Sequence, residues 1–185
     1  MATLENISDH IVDICENAVR SESSNCLLII QENSEDFYFE ITDFGKGMTE
    51  EELQNALDPF YTTKTERKKK FGVGLPFLKF SAELTGGYLK ILSKKHEGTT
   101  VKALFKKNNI DCQPIGNVSQ AIFTIIFMRE NVNWKINRFI EEEGYDVDTL
   151  SLKEEYEDIF FKPSFMNQLR LLLEELEVNL KGGNT

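Results

Sequence analysis

The segment that most restricts the fold is an alternating stretch that ends in an acid and two glycines. "DFYFEITD", residues 36–43, has an apolar residue at every second position, and "DFGKGM" begins at its last residue, Asp43. Alternation of this kind predicts a strand with one buried face. Gly45 and Gly47 tolerate unusual backbone angles and allow a ligand to approach the main chain. The segment therefore predicts either a tight turn or a flat ligand held by one carboxylate at a strand end.

The composition limits the class of protein. The 185 residues are 41% hydrophobic and carry a net charge of −10, which favours a folded core and argues against a nucleic-acid-binding protein. Cys15, Cys26 and Cys112 lie far apart, as expected for free thiols in a reducing compartment. Neither a signal peptide nor an apolar run of about 20 residues is evident. We therefore expect a soluble cytoplasmic protein that does not contact membranes.

The pattern along residues 1–105 predicts alternating helices and strands. Apolar positions recur with helical spacing over residues 4–20, and "CLLIIQEN" and "DFYFEITD" read as two strands. Thr49 and Glu52 have the spacing of a capping box that starts a short helix. A polar, basic loop leads to a second helix, "LPFLKFSAELTGG", with Pro76 in its first turn and Gly86 at its end. A hairpin, "YLKILSKKHEGTTVKALFKK", follows.

A polar stretch, "KKNNIDCQPIGN", predicts a boundary between a first domain, 1–105, and an extension, 106–185. In the extension, "VSQAIFTIIFM" is consistent with either a buried helix or a strand, and a hairpin is expected about Glu143–Gly144. A C-terminal helix follows, with one apolar face formed by Phe165, Leu169, Leu172, Leu173, Leu176 and Leu180. We expect this face to dock on its own domain; a homodimer or partner interface is the alternative.

Asp13 and Asn17 are four residues apart in the first predicted helix and therefore lie on one face, one turn apart. An amide oxygen is a suitable ligand for Mg²⁺, which takes few protein ligands and keeps water and phosphate oxygens. A carboxylate one turn away could deprotonate a water or hydroxyl that attacks a phosphate. Taken alone, the pair is explained better by an ordinary polar helix face.

"FGVG", residues 71–74, precedes the second helix, and free amides at a helix N-terminus bind phosphate. The stretch lacks the G-K-[ST] of a P-loop and the third glycine of a dinucleotide-binding turn. A basic run just before it is either a solvated loop or a phosphate contact. This run consists of Lys64, Arg67, Lys68, Lys69 and Lys70.

Together these segments resemble, in order and spacing, the GHKL superfamily of ATP-binding domains, which includes DNA gyrase, heat-shock chaperone ATPases, histidine kinases and mismatch-repair ATPases. "DICENAV" resembles its N box, "DFGKGM" its G1 box, "DPFYTTK" its F box and "FGVGL" its G2 box, over residues ~5 to 105. The resemblance implies an α+β, two-layer sandwich (the Bergerat fold), with a mixed sheet and helices on one face, followed by a small mixed α/β extension. It also implies ATP and Mg²⁺ as ligands.

The resemblance implies a role for each matching residue. Asn17 would coordinate Mg²⁺, and Asp13 occupies the position of a catalytic glutamate in the gyrase-like members. Asp43 would accept a hydrogen bond from the adenine amine, with Thr99 supporting that contact through water. The remaining adenine-site positions are Gly45, Gly47 and Met48 of the G1 box.

The phosphate end of the implied site comes from the lid and the N-box helix. The lid positions are Gly72, Val73, Gly74 and Leu75. Lys64 and Arg20 are the implied phosphate contacts, and Phe60 is expected to pack at the base of the lid.

The sequence departs from the family pattern at several positions. Phe44 stands where a small or polar residue is usual, and Pro76 stands where many kinases have glycine, which stiffens the helix start. Asp13 is one methylene shorter than glutamate. A sensor kinase also needs a phosphoacceptor histidine on a helix before the N box, whereas His10 lies within the N-box helix and His96 in a hairpin turn. We therefore expect neither histidine to be a phosphoacceptor.

Three functions fit this pattern. The first is a stand-alone protein that uses ATP to phosphorylate a regulatory protein partner, as the related anti-sigma-factor serine kinases do, or to hydrolyse ATP. The second is a binding module that ATP reshapes, with little or no hydrolysis. The third is the ATP-binding half of a split sensor kinase whose histidine lies on another chain.

Overall fold

The computed structural model describes residues 4–58, 74–156 and 161–182. The described helices are α1 (Ile7–Arg20), α2 (Glu50–Leu57), α3 (Gly74–Leu84), α4 (Val118–Ile126), α5 (Thr149–Glu155) and α6 (Pro163–Leu180). The described strands are β1 (Asn25–Glu32), β2 (Asp36–Asp43), β3 (Tyr88–Lys94), β4 (Gly98–Lys106), β5 (Asn133–Ile140) and β6 (Glu143–Asp148). Within those residues, no helix combines the length and apolar content that a membrane span requires.

The strands form one mixed sheet in the order β3-β4-β2-β1-β5-β6. Strand β1 pairs in parallel with β5, and the other neighbouring strands pair antiparallel. On β2, Phe37, Phe39 and Ile41 are buried, whereas the residues between them face the other side of the sheet and are partly exposed. Helices α1, α3, α4 and α6 supply the other side of this core. The predicted two-layer α+β sandwich is confirmed.

Local signals start and stop the elements close to where the sequence predicts. The side chain of Asn6 caps α1, accepting from the Asp9 N–H at 3.0 Å, so the helix begins at Ile7 and not at residue 4. The predicted capping box of α2 is confirmed, because Thr49 Oγ1 accepts from the Glu52 N–H at 3.2 Å and Glu52 Oε2 accepts from the Thr49 N–H at 2.8 Å.

Two uncertain points of the extension have definite outcomes. "VSQAIFTIIFM" contains a helix, α4, whose first turn is capped by Asn117. The predicted turn of the last hairpin about Glu143–Gly144 is wrong, because Gly144 pairs with Phe139 inside the ladder. The turn is formed by residues 141–142, with Glu141 at φ 53°. Gly144 is needed in the strand, since a Cβ there would lie 2.4 Å from the Phe139 ring.

The extension completes the sheet and core of the preceding residues. Strand β5 lies beside β1, helix α4 packs on α1, and α6 packs on α4. Leu169 and Leu173 of α6 are buried, in agreement with a face that docks on its own chain. Leu172, expected on the same face, is instead 51% exposed. The apolar side of α6 is therefore narrower than the leucine pattern predicts.

A buried ion-pair cluster fastens α6 to the sheet. Arg138 of β5 is fully buried, and its Nε donates to Glu177 Oε1 on α6 at 2.9 Å while its Nη2 donates to Glu32 Oε2 at 2.7 Å. The Tyr145 hydroxyl also donates to Glu177, at 2.9 Å, and the guanidinium lies 5.9 Å from the centre of the Phe37 ring. Burial of these charges is tolerated because each has a partner.

Candidate functional site

Helix α1 presents a polar stripe on the side away from the core. Asp13 is half-buried, whereas Asn17 and Arg20 are exposed. The side chain of Asn17 makes no hydrogen bond within the described residues, so its amide oxygen is available to a ligand. Arg20 Nη2 lies 2.5 Å from Glu16 Oε1, an exposed pair one turn apart. The four-residue spacing predicted from the sequence therefore does put Asp13 and Asn17 on one accessible side.

Asp13 lies against the start of α3. A Cβ built on Gly74 would be 1.9 Å from Asp13 Oδ2, so only glycine fits beside this carboxylate. Burial raises the pKa of Asp13 above its usual value, Glu16 raises it further, and Arg20 opposes the shift. The fold thus brings Asp13 of the N box into contact with Gly74 of the G2 box, and the pKa of the Asp13 carboxyl is raised at this contact.

Asp43 ends β2 as a buried carboxylate. Its Oδ1 accepts the Gly45 N–H at 2.9 Å and lies 2.7 Å from Ser21 Oγ, at the C-terminal end of α1. Among the described residues, Oδ2 has no hydrogen-bond partner. The acid is thus held through one oxygen, and the second is available for a ligand donor.

Thr99 is directly opposite Asp43 in the β2–β4 register, and Ser93 is opposite Thr99 in the β3–β4 register. The Thr99 and Ser93 hydroxyls are 2.8 Å apart, and Ser93 Oγ also accepts the Met48 N–H at 2.8 Å. The structure therefore brings together Asp43, Thr99 and Met48, three of the residues that the sequence assigns to the adenine site.

The two glycines of "DFGKGM" are fixed by packing inside the protein. A Cβ on Gly45 would lie 2.1 Å from Ser21 Oγ, and one on Gly47, whose φ is 55°, would lie 1.9 Å from the Lys94 carbonyl oxygen. A turn of this tightness requires glycine whether or not a ligand binds. Their contribution to an adenine-binding surface stays a prediction. Phe44, between Asp43 and Gly45, is 63% exposed and its ring leaves the core.

At the lid end, Leu75 is partly buried and packs on the core, and Pro76 lies in the first turn of α3 as predicted. Its ring is accommodated there because a first-turn N–H has no partner within the helix. Four predicted residues, Phe60, Lys64, Gly72 and Val73, lie outside the described residues.

His10 is a core residue. It is 1% exposed, its Nε2 lies 3.0 Å from Gln113 Oε1, and its ring packs near Phe77 and Phe105. Burial lowers the pKa of His10 below its usual value, against weaker opposing effects of Gln113 and Asp9. His96 is exposed in the β3–β4 turn with φ 66°. The burial and packing of His10 give it a structural role.

Three serines complete the site and were not singled out from the sequence. Ser21 contacts Asp43, Ser93 joins Thr99 to Met48, and Ser23 Oγ accepts the Phe44 N–H at 3.0 Å. Ser21 and Ser23 lie in the polar segment after α1, where serine reads as ordinary loop composition. Their signal is positional only: a hydroxyl at a helix end can reach a neighbouring strand end.

The donor set fits a magnesium ion shared with phosphate better than a protein-only metal site. Within residues 4–58, 74–156 and 161–182, no group of three His, Cys, Asp or Glu side chains could hold a metal. Mg²⁺ needs only one or two protein oxygens when phosphates supply others. The exposed Asn17 amide, one turn from Asp13, meets that requirement.

Known proteins resemble this chain in both sequence and fold. Residues 4–109 match the family model described as histidine kinase-, DNA gyrase B- and HSP90-like ATPase. The chain is 30% identical over 107 residues to the sensor protein KdpD of Clostridium acetobutylicum, and 38% identical over 69 residues to the signal transduction histidine-protein kinase ArlS of Staphylococcus aureus. These alignments cover 55% and 36% of this chain but only 11% and 15% of the relatives.

A crystal structure of the N-terminal domain of a DNA repair protein superposes with a TM-score of 0.55 at 12% identity, covering 77% of this chain and 51% of that one. At this identity the likeness concerns the fold alone. The family match spans more than half of the chain and contains the Asp13, Asn17, Asp43 and Gly74 constellation. The chain belongs to the histidine kinase-, DNA gyrase B- and HSP90-like ATPase family.

Proposed function

We propose that this chain binds Mg-ATP between α1 and the turn after β2, and transfers or hydrolyses the terminal phosphate to regulate a partner protein. The observation that carries the proposal is the contact of Asp13 with Gly74. This contact joins the helix that bears Asn17 to the start of α3, where family members hold phosphates. Asp43 stands at the base-binding end, with Oδ2 open to a donor.

In this proposal Asp43 accepts a hydrogen bond from the exocyclic amine of adenine, and Thr99 supports that contact. The Asn17 amide oxygen holds Mg²⁺, which when bound neutralises phosphate charge. Asp13 accepts the proton of the attacking hydroxyl, from water or from a serine of the partner. Its raised pKa supports this role, since a more basic carboxylate takes up a proton more readily.

Calorimetric titration with Mg-ATP tests the binding site. We expect Asn17→Ala and Asp43→Asn each to weaken binding by at least about tenfold, because each removes a charge-assisted or metal contact. Asn179→Ala, the same change at an exposed asparagine of α6, is the matched control and should bind as the parent does. Parental affinity in both site variants would refute the assignment.

A second candidate function is an ATP-responsive binding module with slow turnover. Two features favour it. The side chain of Asp13 is one methylene shorter than glutamate, and its carboxylate fits closely against Gly74, which limits how far it can extend toward an attacking water. Phosphate release from the parent and from Asp13→Asn separates the two. A drop of about 10²-fold or more in the variant supports a catalytic Asp13, whereas equal, slow release supports the module.

The sensor-kinase relatives raise a third candidate, in which the phosphoryl group passes to a histidine on another chain. Labelled ATP would then transfer phosphate to a partner with a histidine-bearing helical hairpin. Transfer to a serine would instead support the first function.

A further inference from the structure

Ser21 connects the metal-binding helix to the base-binding carboxylate. We propose that Ser21 is a positioning residue that fixes the Asp43 carboxylate so that Oδ2 meets an exocyclic amine, and thereby makes the site selective for adenine over hypoxanthine. This inference rests on the proposed binding of ATP. It assigns to the chain a specificity residue outside the four motif boxes.

Three contacts of Ser21 join the end of α1 to the turn after β2. Its carbonyl oxygen accepts the Lys46 N–H at 2.9 Å, and its side chain packs directly on Gly45. Its Oγ lies 2.7 Å from Asp43 Oδ1 and 2.8 Å from the Ala18 carbonyl oxygen. The hydroxyl has one proton, and an ionised carboxylate is the stronger acceptor, so the proton is directed to Asp43.

The Asp43 carboxyl torsion is soft, because a terminal sp³–sp² bond has a broad rotational minimum. Two donors on the same oxygen, Ser21 Oγ and the Gly45 N–H, remove that freedom. Oδ2 then keeps one direction, on the same side of the sheet as Thr99, its cross-strand neighbour. A fixed acceptor favours the amine of adenine and opposes the carbonyl oxygen of hypoxanthine, which has no proton to give there.

A serine that only caps α1 would behave differently. Its loss would lower the stability of the protein and weaken the binding of all nucleotides alike, because the cap does not distinguish one base from another. A serine that orients Asp43 contributes more to ATP binding than to binding of inosine triphosphate. The ratio of the two dissociation constants therefore isolates the positioning role.

The experiment measures calorimetric dissociation constants for Mg-ATP and Mg-ITP with the parent, Ser21→Ala and Ser21→Cys. The cysteine variant keeps a polar atom at the γ position but is a weak donor. We expect both variants to reduce the ratio of the ITP dissociation constant to the ATP dissociation constant by about 5- to 10-fold, the size of effect expected for one ordinary hydrogen bond. Ser8→Ala is the matched control, since Ser8 is a buried serine at the other end of α1 and its Oγ donates to the Ile115 carbonyl oxygen at 2.6 Å.

A parental ratio in both Ser21 variants would overturn the inference while leaving ATP binding intact. Equal affinity of the parent for ATP and ITP would also overturn it. Absence of ATP binding by the parent would instead refute the proposed function on which it rests. Thermal melts establish that each variant is folded, and if only one Ser21 variant folds, that variant decides.

Discussion

The carboxylate of Asp13 fills the space that a side chain on Gly74 would occupy: a Cβ there would lie 1.9 Å from Oδ2. Asp13 is in the middle of α1 and Gly74 is the first residue of α3, so the contact joins two motifs that are distant in sequence. The helix start also attracts the negative charge, because its free amides and dipole are positive there. A substitution at either residue should therefore alter the packing of the other.

Gly74→Ala is expected to destabilise the protein in urea unfolding, by about 1–3 kcal/mol, since the added methyl displaces a half-buried carboxylate. Asp13→Ala removes the obstructing atoms. In that background the same Gly74→Ala change should stabilise by up to about 1 kcal/mol, because alanine is a better helix former than glycine. This reversal of sign is the measurement that checks the contact.

If Gly74→Ala acts only locally, the change in the free energy of unfolding will have the same sign in both backgrounds. That result would show that the two residues are not coupled. Gly86→Ala is the comparison at the other end of α3. Its Cβ would meet nothing within 4 Å, but its φ of 84° imposes backbone strain, so its cost should not depend on Asp13.

Stability should fall on acidification because of His10. Burial places the pKa of folded His10 below the unfolded value of 6.5. The contribution of the neutral ring is therefore fully present above pH 6.5 and is lost as the pH falls through the folded pKa. The free energy of unfolding, measured in urea from pH 7.5 to pH 4.5, should decrease more steeply for the parent than for His10→Gln.

His96→Gln is the control for this titration, because His96 is exposed in a turn. Its pH profile should follow that of the parent. Parallel profiles for the parent and His10→Gln would show that burial of His10 has no effect on acid stability.

Because of the buried charge cluster, Glu177 of α6 should contribute far more to the free energy of unfolding than Glu174, one turn away on the same helix. Glu177→Ala leaves Arg138 with a single carboxylate partner, Glu32, in a fully buried position. We expect a loss of about 3–5 kcal/mol in the free energy of unfolding. Glu174→Ala removes the exposed, 2.5 Å pair with Arg170 one turn away and should cost less than about 1 kcal/mol.

Hydrogen exchange of the α6 amides gives a second readout, because Glu177 joins α6 to β5 directly. Faster exchange confined to α6 in Glu177→Ala would agree with a loss of docking. Similar costs for the two substitutions would mean that the cluster does not stabilise the helix.

Much of the first half could be predicted from the sequence because its signals are local. The capping box of α2, the alternation in β2 and the acid at its end depend on residues within a few positions of each other. Motif order then predicted the family, and the sheet confirmed the fold class. Asp13 and Asn17 needed only the helical period to be placed together.

What could not be predicted depends on contacts between distant segments. The position of β5 next to β1 joins residues more than a hundred apart, and no local pattern encodes that pairing. Arg138 reads as an ordinary strand residue, because burial of its charge requires carboxylates from β1 and α6. The role of Ser21 could not be predicted for the same reason, since its partner, Asp43, is at the end of a strand 22 residues further along the chain.

The central place of β1 in the sheet has a consequence for biosynthesis. Strand β1 lies between β2 and β5, so one of its edges stays open until residues 133–140 have left the ribosome. An open strand edge is a template for pairing with other nascent chains. The first half of the protein therefore leaves the ribosome before it can close its own sheet, and its exposure to wrong pairing is greatest during that interval.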